Sequence, residues 1–311
     1  MTASSRVALV AGASRGLGML VAEELLLRGY EVAICARDAA ELTRARARLA
    51  RRGTVRDYVC DVGDAEQVSG LVESVERDLG PVEVLITVAG IIQVGPVEGV
   101  TVEHVRDAVN TMTMGPVHTA LAVLPGMRER GRGRIGTVAS VGGLVSVPHL
   151  LPYSTAKFGA VGFTEGLAAS LSGTGVTATS IDPGLMRTGS HEHAFFTGSS
   201  EKEYAWFAPS ASLPVLSMNA DRAARLIVDG VLAGRPVVLV GWLPKIAQRV
   251  RGVAPGLTVR ALGVANRLLP SAASHQTHLV AGAAARRRLA STVVDALSFL
   301  GNRAARRNNE R

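Results

Sequence analysis

The stretch Val7-Ala-Leu-Val-Ala-Gly-Ala-Ser-Arg-Gly-Leu-Gly18 passes from an apolar run into a segment with helical spacing. Gly12, Gly16 and Gly18 permit a tight turn, a close backbone approach to a pyrophosphate, and close packing of helix on strand. The N-terminus of the following helix offers free N–H groups and a partial positive charge to an anion. The stretch predicts a nucleotide-binding turn between a strand and a helix; the alternative is a purely structural glycine turn.

Apolar runs of the same kind recur along the chain and alternate with longer segments of helical spacing. Strands that are apolar on both faces and separated by helices are typical of a parallel sheet covered on both sides. We therefore predict an α/β fold with a doubly wound parallel sheet of about seven strands. The predicted strands are Val7–Val10, Glu31–Ala36, Arg56–Cys60, Val82–Val88, Arg134–Ala139, Gly175–Ile181 and Pro236–Val240.

The composition, 47% apolar and 19% charged residues in 311, supports a large core and excludes global disorder. A length prior of ~150 residues per domain gives two domains, but α/β folds often use ~200–250 residues as one. The alternation of strands and helices stops near Gly241. We predict one dinucleotide-binding domain over residues 1–241, with a substrate loop at about 189–215, and a basic helical extension over residues 242–311.

The net charge of +8 belongs to that extension: residues 241–311 hold 12 Lys/Arg against 2 Asp/Glu, and residues 1–240 hold 22 against 24. Two apolar stripes, Leu257 to Leu269 and Leu289 to Leu300, predict amphipathic helices. We favour docking of these helices on the domain or on a partner subunit over binding to an anionic membrane surface. Clustered arginine without a recognition motif does not support a nucleic-acid partner.

The two cysteines, Cys35 and Cys60, exclude a disulfide scaffold and predict buried thiols in a reducing cytosol. The sequence shows neither a signal-peptide pattern nor an apolar run of ~20 residues free of charge, Gly and Pro. We therefore predict a cytoplasmic location, with peripheral membrane association through the extension as the alternative.

The glycine spacing, G-x-x-x-G-x-G, resembles that of the short-chain dehydrogenase/reductase family. Three further residues extend the resemblance: Ser140 ends a predicted strand, Tyr153 follows thirteen residues later, and Lys157 follows four residues after that. The resemblance covers residues 6 to about 241. It implies a Rossmann-type sheet, a nicotinamide dinucleotide, activity on alcohol and ketone groups, and homodimers or homotetramers formed through the fourth and fifth helices.

Tyr153 and Lys157 share a helix face if the segment is helical, with roughly 5–6 Å between them. A phenol with a pKa near ~10 is a poor acid–base catalyst at neutral pH, and a neighbouring ammonium group lowers that pKa. Tyr153 can then exchange a proton with the substrate oxygen, while Ser140 donates a hydrogen bond to it. We predict these three residues as catalytic, and the resemblance implies that Lys157 also binds the nicotinamide ribose.

The residues after the second predicted strand bear on the choice between NAD and NADP. An acidic residue there would bond the ribose 2′-hydroxyl of NAD, but this chain has Ala36 followed by Arg37, and Arg15 lies in the glycine-rich turn. Two guanidinium groups suit a 2′-phosphate, so we predict NADP(H). Asp38 keeps open the alternative that Arg37 is a solvated charge at the strand end.

The resemblance implies further cofactor contacts. Asp61 and Val62 match a pair that contacts adenine, Ala89 and Gly90 match part of an Asn-Asn-Ala-Gly motif, and the segment Pro183–Thr188 matches the nicotinamide pocket. No metal site is expected. The predicted cofactor residues are Gly12, Ser14, Arg15, Gly16, Leu17, Gly18, Arg37, Asp61, Val62, Ala89, Gly90, Tyr153, Lys157, Pro183, Gly184 and Thr188.

One position departs from the family pattern. Counting back from Gly115, Met112 stands where the family usually has an asparagine that supports a proton-relay water. Asn110 is two residues away, about 200° around a helix, and should not substitute directly. We predict an NADP(H)-dependent oxidoreductase that interconverts a secondary alcohol and a ketone, acting on an apolar substrate. The alternative is a catalytically weak NADP(H)-binding sensor or scaffold.

Two histidine positions and a cluster of aromatic residues could also belong to a functional site. His191 and His193 could suggest a metal, but without a third ligand we predict a mobile polar loop. Five of the twelve aromatic residues lie between 189 and 215, which favours an apolar pocket lid over simple core packing. His149 either lines the pocket or packs in a loop.

Overall fold

The structure is a computed structural model that describes residues 6–271 and 276–310. Its strands and helices alternate through most of the chain. The strands are β1 (Val7–Ala11), β2 (Glu31–Ala36), β3 (Val55–Val59), β4 (Val82–Thr87), β5 (Gln93–Val94), β6 (Gly133–Val138), β7 (Val176–Pro183), β8 (Leu185–Arg187), β9 (Phe195–Phe196), β10 (Ser217–Asn219), β11 (Val237–Val240) and β12 (Val280–Ala281). The helices are α1 (Gly16–Leu27), α2 (Ala39–Leu49), α3 (Ala65–Asp78), α4 (Val102–Val109), α5 (Gly115–Glu129), α6 (Leu151–Ser170), α7 (Ser200–Ser210), α8 (Ala220–Leu232), α9 (Trp242–Val253), α10 (Pro255–Asn266), α11 (Gly282–Leu289), α12 (Thr292–Leu297) and α13 (Phe299–Arg307).

Seven strands form one parallel sheet in the order β3-β2-β1-β4-β6-β7-β11. This confirms the predicted fold class, and each predicted strand lies within two residues of an observed one. The strand order reverses beside β1, where Ala11 is in register with Cys35 on one side and with Thr87 on the other. A reversal of this kind opens a crevice at the carboxyl ends of the strands, where ligands bind in open α/β sheets.

The sheet is buried on both faces, which explains the continuous apolar runs. Ala8 and Val10 pack in a core with residues of α1, α2 and α8, whereas Val7 and Leu9 pack in a second core with residues of α3 and α5. Successive side chains of a strand point to opposite faces, so each run needs apolar residues at every position. Both Cys35 and Cys60 are free thiols buried in the second core, as predicted.

The extension has two parts that relate differently to the sheet. In α10 no residue is buried, and in α9 only Pro244 is. Residues 280–310 return to the domain instead: β12 pairs with β9, and α13 lies against β8. Within the described residues no helix is long and apolar enough to cross a membrane.

The second predicted stripe, from Leu289 to Leu300, is not one helix. Ala290 ends α11 in the left-handed backbone region, and the Ser291 side chain caps α12. A third helix, α13, begins at Phe299. The break lets these short helices fold around the substrate-loop region, which periodicity alone does not predict.

Candidate active site and cofactor cavity

The glycine-rich turn is as tight as its sequence predicts. Gly12 has a φ of +86°, and a Cβ there would lie 2.5 Å from the Cα of Ala89. A Cβ on Gly18 would lie 2.8 Å from the carbonyl carbon of Gly12. Neither position accepts a side chain, so the backbone of β1, its turn and α1 forms a cradle of the kind that accommodates a dinucleotide pyrophosphate.

A cavity of about 500 Å³ lies at the carboxyl ends of the strands, next to this turn. Every cofactor and catalytic residue predicted from the sequence lines it. Those residues are Gly12, Ser14, Arg15, Gly16, Leu17, Gly18, Arg37, Asp61, Val62, Ala89, Gly90, Ser140, Tyr153, Lys157, Pro183, Gly184 and Thr188.

The three predicted catalytic residues come from two neighbouring elements. Ser140 follows β6, and its Oγ accepts a hydrogen bond of 3.1 Å from the Gly142 N–H. Tyr153 and Lys157 lie on α6, with the Lys157 Nζ 5.8 Å from the centre of the Tyr153 ring. The Nζ also donates a 2.7 Å hydrogen bond to the Val138 carbonyl oxygen. The arrangement brings a phenol, a hydroxyl and an amine to one side of the cavity.

Burial dominates the electrostatics of this group. It raises the pKa of Tyr153, and a hydrogen bond with Ser140 acts in the opposite direction. Burial lowers the pKa of Lys157 to about 8, while the charge of Asp182 acts to raise it. The raised Tyr153 pKa is opposite to the lowering expected from Lys157. The reason is that burial disfavours the charged phenolate and outweighs the hydrogen bond from Ser140.

Asp182 interacts electrostatically with Lys157, and the sequence did not predict this role for it. It is fully buried at the carboxyl end of β7, and burial raises its pKa to about 7. The Ser180 hydroxyl donates to its Oδ2 over 3.3 Å, and the charge of Lys157 also acts to lower its pKa. An acidic residue next to Pro183, directly after an apolar strand, was a signal that could have identified it.

The two arginines predicted near the adenosine ribose have acidic neighbours. The Arg15 Nη1 lies 2.6 Å from both carboxylate oxygens of Glu41, which also lines the cavity. Arg37 is exposed, with its Nη1 3.8 Å from the Asp61 Oδ2. Asp38 caps α2 by accepting the Glu41 N–H over 2.8 Å. The Asp38 carboxylate therefore has a structural role in the helix cap.

The helix that carries Met112 contains a π-helical turn, Asn110–Met114. Met112 is buried against Ala108 and Ala156 and does not line the cavity. Thr111 lines it instead. A π-helical turn shifts the phase of the residues around it, so counting positions on a regular α-helix does not identify Thr111. Asn110 lies elsewhere, beside Gly63, where an added Cβ would be 3.1 Å from its Cγ.

The aromatic residues of the substrate loop serve mainly as core, with part of the group facing the cavity. Phe196, Tyr204 and Phe207 are buried in one cluster with edge-to-face ring contacts. Phe195 and Phe207 also line the cavity. The fifth aromatic, Trp206, is partly buried against the same cluster.

The expectation of a mobile polar loop at residues 191–193 is wrong. His191 and Glu192 are buried, and the His191 Nε2 makes a 3.0 Å hydrogen bond with the Asn302 Oδ1. The reason is that α13 covers this segment. No group of three or more His, Cys, Asp or Glu residues with metal-site geometry occurs among the described residues.

His149 does not line the cavity. Its Nδ1 lies 2.9 Å from the Glu203 Oε2, and the Trp206 Nε1 donates to the same oxygen over 2.8 Å. This buried network ties the segment before α6 to α7. Of the two roles considered for His149, the structure supports packing.

Glu310, near the C-terminus, also lines the cavity, and nothing in the sequence pattern predicts it there. Burial raises the pKa of its carboxyl group to about 8, while the charge of Arg15 acts to lower it. The carboxyl group lies among the residues of the glycine-rich turn.

Comparison with known proteins gives a consistent set of relatives. The sequence profile of the family described as short chain dehydrogenase matches residues 6–195. A putative ketoacyl reductase of Streptomyces coelicolor is 38% identical over 190 residues, 60% of this chain and 73% of the relative. The 17-beta-hydroxysteroid dehydrogenase 13 of Homo sapiens is 27% identical over 270 residues, 85% of this chain and 83% of the relative. A crystal structure of actinorhodin polyketide ketoreductase with NADPH superposes with a TM-score of 0.68 at 31% identity, over 77% of this chain and 97% of that one.

Proposed function

Because this chain belongs to the short-chain dehydrogenase family of oxidoreductases, we propose that it is an NADP(H)-dependent enzyme that interconverts a secondary alcohol and a ketone on an apolar substrate. One observation carries the proposal: Ser140, Tyr153 and Lys157 line the same cavity as the glycine-rich turn. A cradle for a dinucleotide and a proton-transfer group then share one space, as the reaction requires.

Each catalytic residue has a separate task in this proposal. A bound nicotinamide supplies or accepts the hydride. The Tyr153 hydroxyl gives a proton to the carbonyl oxygen in reduction and takes it from the alcohol in oxidation. Ser140 donates a hydrogen bond to the same oxygen, where negative charge develops. Lys157, held by the Val138 carbonyl, would place a positive charge near the phenol and so act against the effect of burial, which raises the pKa of Tyr153.

The preference for NADP(H) rests on charge near the adenosine ribose. Arg15 and Arg37 line this end of the cavity, and Ala36 stands where an acidic residue would favour NAD. The guanidinium groups can exchange their present acidic neighbours for a phosphate. The similar ketoreductase crystallised with NADPH supports the same choice.

The preference for an apolar substrate rests on the apolar residues that line the cavity. Ile91, Ile92, Phe195 and Phe207 contribute apolar side chains there. Similar proteins named as a ketoacyl reductase and as a 17-beta-hydroxysteroid dehydrogenase support this proposal, since a steroid skeleton is largely apolar.

Substitution of the proposed acid–base group tests the function. Purified protein is assayed with a panel of ketones and alcohols, with NADPH/NADP and NADH/NAD. Tyr153→Phe removes the transferable proton, so we expect turnover to fall by at least ~10²-fold while NADPH affinity is unchanged.

The matched control for this variant is Tyr58→Phe, because Tyr58 lies on β3 and bonds Asp78 outside the cavity. Unchanged turnover in Tyr153→Phe would contradict the proposed mechanism.

We further propose that the protein is cytoplasmic and associates peripherally with anionic membranes through α9 and α10. Trp242, Ile246, Val250 and Val253 follow one another at helical spacing on α9, and each is about half exposed or more. Residues 242–271 hold five Lys/Arg and no Asp or Glu. An exposed apolar face with cations and no acidic residue is typical of helices that lie on a membrane surface.

The docking alternative describes the rest of the extension, residues 280–310, which pack on the domain. We also propose that two or four copies assemble through the helices predicted as the fourth and fifth, which are the continuous run from α4 to α5 and the helix α6; Leu121 on α5 is 53% exposed. Light scattering of the purified protein measures the mass of the assembly, and thus the number of copies, directly.

A further inference from the structure

The residues Asn308–Glu310, here called the C-terminal strap, lie on the glycine-rich turn. The Asn308 carbonyl oxygen accepts the Gly16 N–H over 2.8 Å. The Asn309 Nδ2 donates to the Ser14 carbonyl oxygen over 2.7 Å. Gly16 is the first residue of α1, so its N–H is one of the free donors that a helix N-terminus offers to a phosphate. In this structure that donor already has an acceptor.

The Glu310 carboxyl group lies in the same place. Only 6% of Glu310 is exposed, and its Oε2 is 3.3 Å from the Arg15 Nε. Its Oε1 is 2.5 Å from the position that a Cβ on Gly16 would take. The Glu310 carboxylate therefore occupies the space that is free because Gly16 has no side chain. An anion-binding group of the chain thus occupies the part of the cradle that a pyrophosphate needs.

The strap is fixed by contacts to the loop after β7. The Asn308 Nδ2 donates to the Thr188 carbonyl oxygen over 3.1 Å, and the His193 Nε2 lies 2.7 Å from the Glu310 carbonyl oxygen. Asn308 and Glu310 are both buried. The strap is therefore a packed part of the domain surface.

The helix before the strap fits closely, because two glycines make room for it. A Cβ on Gly189 would lie 2.5 Å from the Cβ of Ala305. A Cβ on Gly301 would lie 2.9 Å from the His191 Cε1 and would also collide with Ser212. The position of α13, and with it the position of the strap, depends on these two sites.

We propose that the C-terminal strap is an autoinhibitory segment that occupies the phosphate-binding part of the dinucleotide cavity and must leave before the cofactor binds. The inference rests on the proposed function in one respect, that the dinucleotide enters this cavity. Strap and cofactor are mutually exclusive because they use the same Gly16 N–H, the same Arg15 side chain and the same space beside α1. The opposite arrangement, a strap that closes over a bound cofactor, would leave the Gly16 N–H free for the phosphate.

Deletion of residues 308–311 tests the proposal by NADPH affinity, measured by fluorescence titration. If the strap leaves the cavity in only a fraction of the molecules, the apparent NADPH affinity of the full chain is reduced by that fraction. We therefore expect the deletion variant to bind NADPH at least ~10-fold more tightly than the full chain. The control is Arg306→Ala, an exposed side chain on α13, which should bind like the full chain. Equal or weaker binding by the deletion variant overturns the proposal.

A second variant leaves the strap intact. Gly301→Ala favours the helix but collides with Ser212 and His191, so it should displace α13 and also tighten NADPH binding. In the deletion variant, a synthetic peptide of residues 303–311 should compete with NADPH, and a peptide with Asn308, Asn309 and Glu310 changed to Ala should not. Absence of competition overturns the proposal.

The outcomes separate this inference from the proposed function. Equal NADPH binding by the full chain and the deletion variant rejects the strap and leaves the enzyme assignment intact. If neither protein binds NADPH or NADH, both the assignment and the inference are wrong.

Discussion

At the scale of single residues, the site depends on how burial acts on charge. The pKa of Lys157 falls to about 8 and that of Asp182 rises to about 7, each chiefly because burial disfavours the charged form. Each group partly offsets the effect of burial on the other. The two pKa values therefore lie near neutral pH, and the Lys157 Nζ lies 5.8 Å from the centre of the ring of Tyr153, the proposed proton-transfer residue.

Asp182 should make stability depend on pH. An unfolded Asp titrates near ~3.9, so between that pH and about 7 the folded protein holds a proton that the unfolded chain has lost. The free energy of unfolding must therefore fall as pH rises through this window. Asp182→Asn cannot titrate, so we expect a smaller decline than in the unsubstituted protein, measured by urea unfolding at pH 5, 6 and 7.

The pH dependence of the variant must be compared with that of the unsubstituted protein. The reason is that Glu310 also has a raised pKa, so it too makes the free energy of unfolding fall as pH rises. Asp107→Asn, an exposed site on α4, is the control and should keep the original pH dependence. Parallel curves for Asp182→Asn and the unsubstituted protein would show that Asp182 is ionised throughout.

Arg37 should decide the preference between cofactors. If its guanidinium bonds the 2′-phosphate, Arg37→Ala loses a charge-assisted hydrogen bond of ~1.5–3 kcal/mol. We expect NADPH affinity to fall about 10- to 100-fold and NADH affinity to change little. Titration of both dinucleotides measures this.

The control for this variant is Arg46→Ala, which removes an arginine that pairs with Asp57 on the surface of α2 and β3. An equal loss of affinity for both dinucleotides in Arg37→Ala would place its contact elsewhere on the cofactor.

At the scale of elements, the π-helical turn decides which side chain reaches the cavity. It buries Met112 between α4 and α6 and lets Thr111 line the cavity. The family spacing, counted back from Gly115, places Met112 where the relay asparagine usually stands, and only the exclusion of Asn110 assumed a regular helix. Thr111, a residue with a hydroxyl group, lines the cavity next to this turn.

We expect Met112→Asn to lower stability without raising turnover. The substitution buries an amide among Ala108 and Ala156 with no hydrogen-bond partner and costs about 2 kcal/mol or more. Urea unfolding and steady-state kinetics measure the two effects. Met112→Leu conserves volume and should cost less than ~1.5 kcal/mol. A large gain in turnover with Met112→Asn would instead support a degenerate site.

At the scale of the whole molecule, charge and exposed apolar surface coincide in one place. The cations of residues 242–271 lie on and next to the helices α9 and α10. Residues 280–310 of the extension instead return to the proposed cofactor cavity. The two helices α9 and α10 are here called the α9–α10 hairpin. The Trp242 Nε1 donates to the Val215 carbonyl oxygen and Arg251 lies 4.5 Å from the Phe158 ring, so the hairpin is attached to the domain at both ends of α9.

The hairpin should bind vesicles that contain anionic lipid. Removing two apolar side chains from the membrane boundary costs ~1.5–3 kcal/mol each, so Ile246→Glu with Val250→Glu should reduce binding to phosphatidylserine vesicles at least ~10-fold. Sedimentation with vesicles measures this, and phosphatidylcholine vesicles should bind the unsubstituted protein weakly.

The control for the vesicle experiment is Leu297→Glu, an exposed apolar site on α12 that packs with the domain part of the extension. Binding of the double variant equal to that of the unsubstituted protein would rule out the hairpin as the contact surface.

The sequence by itself determined the sheet, the glycine-rich turn and the positions of Ser140, Tyr153 and Lys157. These features depend on local periodicity and on the spacing between neighbouring residues, which the order of residues states directly. The pKa of Tyr153 was not determined in this way, because its direction depends on how deeply the fold buries the phenol.

Only the tertiary structure decided the features that join distant parts of the chain. It buried Met112 and placed Thr111 at the cavity through a π-helical turn, buried Asp182 close enough to Lys157 for their charges to interact, and covered His191 with α13. It also brought Glu310 back to Gly16, almost three hundred residues earlier in the chain. No periodic pattern encodes such contacts, because they arise only when whole elements pack against each other.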